Sequence, residues 1–434
     1  MGTRVAPAGT MRPRTLAVSL GLFILVLPAI AGTRLTYDVG GGKVVAVAWP
    51  ASAFPLKFAV DSRLANSIPS ARQLIEGAAA EWNGVPDATV TFAPITVESG
   101  LRAGADYRNT ITIADDLFAN QKCLAFTTPL HDDSGRLLDT DILIDASVPT
   151  SKYNLQQLVA HELGHALGLD HSAVLSATMY PWIPPNATTT LDSDDRIAIA
   201  SIYPRSDAGA VLQGHVSGVD GAIFAAQVVA VNANGSPVAT GLSDQSGNFI
   251  LKGVPSGDYR VYVEPLDGPV VVGNLTGVWR NANGAPFPTV FVADGEALHV
   301  ESGKIYGNLT FTPQGNVILN PQTIGITPVG SGDLYLNSSP LSVKPGTTTQ
   351  IAVGGDGFTN GSGTTFEVLN PGFHRMSGFT YGPNYEVATF SIDRNAPAGS
   401  AVIMVHNGIA VAALTGALRI DDNAPVVHPR LAGH

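Results

Sequence analysis

Residues 159–171 read VAHELGHALGLDH, and three of the ten histidines in this 434-residue chain fall there. They are His161, His165 and His171, with Glu162 directly after the first and Gly168 between the second and third. Histidines four apart share one helix face, so His161 and His165 can both aim an imidazole nitrogen at one ion. Glu162 is turned about a hundred degrees from His161, which sets it beside the ion. Gly168 tolerates backbone angles that other residues resist, so the helix can end there and the chain can turn back with His171 as third ligand. Three neutral imidazoles leave one coordination position open, the mark of catalytic rather than structural zinc. Imidazole also suits copper, nickel and iron, so zinc is the first choice among several. A water on zinc is acidic enough to give hydroxide near neutral pH. Glu162 would take that proton and return it to a departing amine, while the ion polarises the carbonyl and stabilises the oxyanion. This is amide hydrolysis without a covalent intermediate. By composition alone the full pattern arises in on the order of one chain in tens of thousands.

The elements that must hold these residues are legible around them. FPLKFAVD (54–61) alternates like a half-buried strand, and apolar residues from Ile68 to Trp82 predict a helix. ATVTFAPITV, NTITIAD, KCLAFTTPL and LLDTDILID read as four more strands separated by Gly, Asp and Asn. The histidine motif sits on a helix beginning near Asn154, with Leu155, Leu158, Val159, Ala166 and Leu167 on its apolar side. A Pro-rich loop spans 178–190, and LDSDDRIAIASIYP predicts a closing helix with Asp194 and Asp195 in its first turn, where the macrodipole favours them. Residues 54–207 thus form one α+β domain with a mixed twisted sheet, preceded by a short Gly-rich extension over 32–53.

Downstream the texture changes to short alternating runs and turn clusters. It predicts two all-β sandwiches, 210–312 and 313–421, before a flexible tail over 422–434. In the first of them HVSG, FAAQVVAVNA, NFILKGV, DYRVYVEP, GVWR and TVFVAD all read as strands; in the second, DLYLNSS is among them. The chain is therefore multidomain. At its start, Arg4, Arg12 and Arg14 precede the apolar run TLAVSLGLFILVLP and Ala29-Ile30-Ala31, a signal peptide over 1–31 that predicts export, with no membrane span once it is cut. A net charge of −11 argues against nucleic acid or an anionic membrane as main partner. Cys123 is the one cysteine, so no intramolecular disulfide forms, and it reads as a small buried apolar residue. Asn186, Asn274, Asn308, Asn337 and Asn360 begin sequons, which matter only in a eukaryotic secretory pathway.

The extended motif resembles that of the metzincin proteases. Ser172 after the third histidine, SATMYP with Met179, and LDSDDRIAIASIYP are similar to the matrixin subgroup over about residues 45–205. The resemblance implies a metzincin catalytic domain with zinc on His161, His165 and His171, Glu162 as general base, and Met179 beneath the metal. It also implies that KCLAFTTPL is the edge strand on which an extended protein or peptide substrate pairs, and that Pro181-Trp182-Ile183-Pro184 lines the pocket for the residue after the scissile bond. The chain departs from the family in having no Pro-Arg-Cys-Gly latency segment, and only His131 between the strands where the vertebrate enzymes' second zinc needs several histidines. Asp132, Asp133, Asp139 and Asp141 offer the clustered oxygens that calcium wants, or else a solvated loop. Residues 210–312 resemble carboxypeptidase regulatory-like, transthyretin-type sandwiches, and 313–421 resemble an immunoglobulin-like fold of the IPT/TIG kind. Both read as spacers or stabilisers, or as modules that bind matrix, cell surface or substrate. The whole predicts a secreted zinc metalloendopeptidase. Its rival is an adhesion or scaffold protein with a weakly active metzincin domain, and the presence of Glu162 favours the enzyme.

Overall fold

The structure, a computed structural model, describes residues 32–424 apart from 42, 115–122, 149, 186–189, 206–208, 316–318, 330–333, 359–362, 409 and 423. The expected signal peptide, the sequons at Asn186 and Asn360 and nearly all of the tail lie outside the described residues.

The chain opens with a hairpin of β1 (Thr36–Asp38) and β2 (Val44–Ala46). Then come β3 (Ala59–Asp61), α1 (Ser62–Ser67), α2 (Ala71–Asn83), β4 (Thr96–Glu98), β5 (Thr110–Ala114), β6 (Ala125–His131), β7 (Leu137–Asp145), α3 (Leu155–Ala166) and α4 (Ser193–Ile202). The helix expected from Ile68 to Trp82 is α2, and an unexpected short helix, α1, precedes it; the two are separate because the residue before a proline is pushed out of the helical region. Ile68, which precedes Pro69, has φ −116° and ψ 121°. The strand expected over 54–61 is paired continuously only from Ala59, and the run from Ala88 is held by isolated bridges until β4 begins.

The first sheet runs β4-β3-β5-β7-β6, parallel except for β6, which pairs antiparallel with β7 and forms one end of the sheet. One core joins sheet, helices and the N-terminal segment: Val47 and Trp49 are buried with Trp82, Ile111, Leu158 and Met179. Leu35, Val47 and Trp49 of the N-terminal extension therefore share in this domain's packing.

The second module has β8 (Ala210–Gly218), β9 (Gly221–Ala222), β10 (Gln227–Asn232), β11 (Pro237–Leu242), β12 (Asn248–Val254), β13 (Gly257–Glu264), β14 (Val290–Phe291), β15 (Leu298–Val300) and β16 (Ile305–Phe311). They form two sheets, β11-β10-β13-β14 with β15 on β13, and β12-β8-β16 with β9 on β8, over a shared apolar core. GVWR is not a strand. Residues 277–281 make a 3₁₀ turn on an excursion between β13 and β14 that reaches the first domain.

The third module holds β17 (Asn320–Pro328), β18 (Leu341–Val343), β19 (Thr348–Asp356), β20 (Thr364–Val368), β21 (Phe373–Arg375), β22 (Thr380–Gly382), β23 (Tyr385–Ile392), β24 (Gly399–Asn407) and β25 (Ala410–Ile420). Its sheets are β17-β19-β23-β21, with β22 on β23, and β18-β25-β24-β20. Among its described residues DLYLNSS supplies only an isolated bridge, Ile324 to Asn337. Leu175 and Tyr180, from the loop after the histidine motif, are buried in this module's core, and Ile197 of α4 is buried in that of the second. Among the described residues no helix is long and apolar enough to cross a membrane.

Candidate metal centre and cleft

Asn154 starts α3 by accepting the backbone N–H of Gln156 at 2.9 Å and Gln157 at 3.4 Å. Such a cap satisfies donors the helix itself cannot. At the other end the Gly168 N–H donates to the His165 carbonyl (2.9 Å), and the Leu169 N–H to that of Gly164 (3.0 Å). This is a Schellman ending with Gly168 left-handed at φ +96°. A Cβ at Gly168 would lie 2.6 Å from the Val47 carbonyl oxygen, so the glycine serves both the turn and a close backbone approach. Two further C-terminal carbonyls find side chains: Ala166 accepts from the Trp49 indole (2.8 Å) and Leu167 from the Tyr203 hydroxyl (2.7 Å).

The turn brings the three imidazoles together. Ring centroids are 4.7 Å apart for His161 and His165, 5.3 Å for His161 and His171, and 4.9 Å for His165 and His171. Each Nδ1 faces a backbone carbonyl, of Thr178 at 2.7 Å, Leu169 at 2.8 Å and Asn274 at 2.6 Å respectively. A carbonyl has no proton to give, so every ring carries its proton on Nδ1 and turns the Nε2 lone pair inward. One nitrogen from each ring then lies within 4.8 Å of the others. Burial, and next the charge His171 would carry, push His161 down to about 3; burial drives His165 well below the usual range. Neutral rings are what a metal needs. Among the described residues no fourth His, Cys, Asp or Glu joins this group, so the donor set fits a tetrahedral Zn²⁺ with one open position.

Glu162 is buried beside this trio, and the Thr127 hydroxyl on β6 donates to its Oε2 at 2.7 Å. Burial raises the carboxyl to about 7, against the opposing pull of Thr127. A Cβ at Gly164 would meet the Met179 sulfur at 2.2 Å, so the methionine packs directly under the middle of the motif. Asp195 fixes that methionine, accepting the N–H groups of Thr178 (2.7 Å) and Met179 (3.0 Å), and Asp194 accepts the Ser172 hydroxyl (2.7 Å). Both aspartates are buried, which pushes them up to about 6 for Asp194 and about 7 for Asp195. Their place in the first turn of α4 thus serves the loop around the motif more than the helix dipole.

The trio lies in a cleft of about 600 Å³ whose walls include Tyr37, Phe126, Trp182, Ile183 and Thr276. Cys123, expected in a core, is half-buried on this wall, its thiol donating to the Ala125 carbonyl. The four aspartates considered for calcium do not form one group of ligand atoms among the described residues. Asp132 accepts from Ser134 and Arg136 in its own turn, while buried Asp139 and Asp141 accept the N–H groups of residues 104, 106, 107 and 110. Thr127, Gly164, Asp170, Asn274 and Thr276 belong to the site yet were not expected. Gly164 alone carried a visible signal, as a glycine inside a helix; apart from the bond between Asp170 and its neighbour His171, the contacts by which the others join the site span 35 to 106 residues.

Residues 78–204 match the family model described as Matrixin. The chain is 43% identical over 61 residues to metalloendoproteinase 1 of Glycine max, covering 14% of this chain and 20% of that protein. It is 46% identical over 55 residues to interstitial collagenase of Sus scrofa, covering 13% and 12%. With the hatching enzyme of Paracentrotus lividus it shares 53% over 53 residues, covering 12% and 9%. The chain therefore spans a fifth or less of the length of these relatives, and the two β modules lie beyond the family match. Residues 78–204, the stretch that matches the Matrixin model, carry all three inward-facing histidines and Glu162.

Proposed function

We propose that the chain is a secreted, zinc-dependent endopeptidase, with His161, His165 and His171 holding the ion, Glu162 as general base and Met179 supporting the trio from below. The observation that carries this reading is the set of three inward Nε2 atoms next to a buried carboxylate, on the wall of a cleft that opens along an end strand. A bound zinc ion supplies Lewis acidity to a carbonyl and eases the ionisation of water. The chain's own groups do the rest. Thr127 holds Oε2 of Glu162 and leaves Oε1 to accept a proton from the attacking water. Glu162 can take that proton and give it to the departing amine nitrogen. Among the described residues β6 hydrogen-bonds within its sheet only to β7, so an extended peptide can add beside it as a further strand. Trp182 and Ile183 would bound the pocket of the side chain after the cleaved bond. Export rests on the basic and apolar leader over 1–31. The second and third modules, transthyretin-like and IPT/TIG-like by sequence, serve in this reading to support the catalytic domain.

A protein-cleavage assay on residues 32–434 tests the proposal. Cleavage should vanish with a chelator and in Glu162→Ala, while Glu162→Ala still binds about one zinc per chain, since the imidazoles alone hold it. Cleavage that survives loss of the carboxylate overturns the mechanism, and a zinc-loaded wild type that cleaves nothing favours the adhesion or scaffold reading.

A further inference from the structure

We infer that the active site is composite: residues 271–279 of the second module complete the metal centre by orienting His171, and they wall the cleft through Thr276. This rests on the zinc reading above and adds to it a part of the chain outside the matrixin match.

His161 and His165 are oriented by carbonyls of their own domain, Thr178 and Leu169. His171 is not. It lies beyond the end of α3, and its Nδ1–H donates to the Asn274 carbonyl, 103 residues away in the second module. Its neighbour Asp170 is 1% exposed, and divides its carboxylate between the two domains. Oδ1 accepts the His171 N–H at 2.8 Å; Oδ2 accepts the Thr276 N–H at 2.9 Å and hydroxyl at 2.7 Å. Asp194 repeats the device on the following residue, its Oδ2 accepting the Ser172 hydroxyl and its Oδ1 the N–H (3.0 Å) and hydroxyl (2.8 Å) of Thr240. His171 and Ser172 are thus held between two aspartate–threonine clamps, and in both the threonine belongs to the second module.

The segment that bears Asn274 is itself fixed. The Asn274 side-chain oxygen accepts the Val271 N–H, the Val278 N–H donates to the Thr36 hydroxyl and the Trp279 indole donates to the Arg34 carbonyl. Gly277, at φ +54°, comes so close that a Cβ would lie 1.9 Å from the Thr36 carbonyl oxygen. Groups that orient a ligand histidine govern ion retention, typically by ten- to a hundredfold. A module that only stabilised the fold would leave the affinity of the folded protein unchanged.

The test compares full-length variants by zinc competition against a chromophoric chelator and by the electronic absorption of the Co²⁺ form. Thr276→Val removes one clamp hydroxyl at nearly constant volume, and Gly277→Ala wedges the segment away from Thr36. Ser236→Ala is the control, because its hydroxyl bonds Ser400 across the interface between the two β modules, away from the histidines. Circular dichroism establishes that each variant is folded. Thr276→Val should weaken zinc about tenfold, shift the cobalt spectrum and raise KM, with a larger loss of zinc in Gly277→Ala. Ser236→Ala should lower Tm and leave zinc affinity unchanged. Wild-type affinity and cobalt spectrum in both Thr276→Val and Gly277→Ala overturn the composite site. His165→Ala separates the two readings. If it binds zinc as the wild type does, the metal centre itself is wrong; if it loses zinc while the module variants do not, only the composite site fails.

Discussion

At the residue scale, tautomer choice and close approach decide the site. Three backbone carbonyls select Nδ1–H on every ligand ring, which no count of histidines could disclose, since the three acceptors come from a turn, a loop and another module. Glu162 is expected to work through proton transfer alone. Glu162→Gln should lower kcat by about 10²- to 10⁴-fold with zinc stoichiometry intact, read by steady-state kinetics and metal analysis. Gly164 acts through what it lacks. The Met179 sulfur occupies the space of a Cβ, 2.2 Å from where it would sit, and Trp82 stands farther off at 3.1 Å. Gly164→Ala should therefore destabilise the metal-free fold by about 1–3 kcal/mol in urea titration, although propensity alone would favour alanine by roughly 1 kcal/mol. Recovery of wild-type stability in that variant would mean the methionine is free to move.

At the element scale, α3 is held at both ends by partners that are local at the start and remote at the finish. The Asn154 cap was legible because capping is a short-range pattern, and Asn154→Ala should cost about 1 kcal/mol by thermal unfolding. The Schellman ending at Gly168 was legible for the same reason. Trp49 and Tyr203, which receive the last carbonyls, were not, because one precedes and the other follows the helix by dozens of residues. Strand runs were read well where they alternate or are uniformly apolar, as in β5, β6 and β7. GVWR failed because an aromatic, β-branched tetrapeptide fits a strand equally well in isolation. Its burial against Arg34 and Thr36, rather than a ladder, decides its conformation.

At the scale of the molecule, charge buried between modules should set a pH dependence. Glu264 on β13 accepts from Gln227 and from Thr415 on β25 (both 2.7 Å), and burial, with the Asp267 charge adding, raises it to about 8. Between the ordinary glutamate range and pH 8 the folded protein holds a proton that the unfolded chain releases, so stability falls as pH rises through that window. Asp194 and Asp195 act with the same sign at about 6 and about 7. Tm of the metal-free protein should fall from pH 5 to 9, and Glu264→Gln should flatten the upper part of that fall; an unchanged profile would mean the carboxyl is ionised throughout. None of this docking was legible, because composition separates modules but carries no record of which faces meet. Residues 32–36 lie layered between the turn at 168–170 and the segment at 276–279, bonded to both. During synthesis the ribosome delivers the histidines well before the strip that covers them is trapped from its second side. At ~5–20 residues per second, the roughly seventy residues between the end of the first domain and Trp279 impose a delay of about 4–15 s. A nascent chain would therefore carry its three histidines for those seconds before the segment whose Asn274 carbonyl meets His171 has been made.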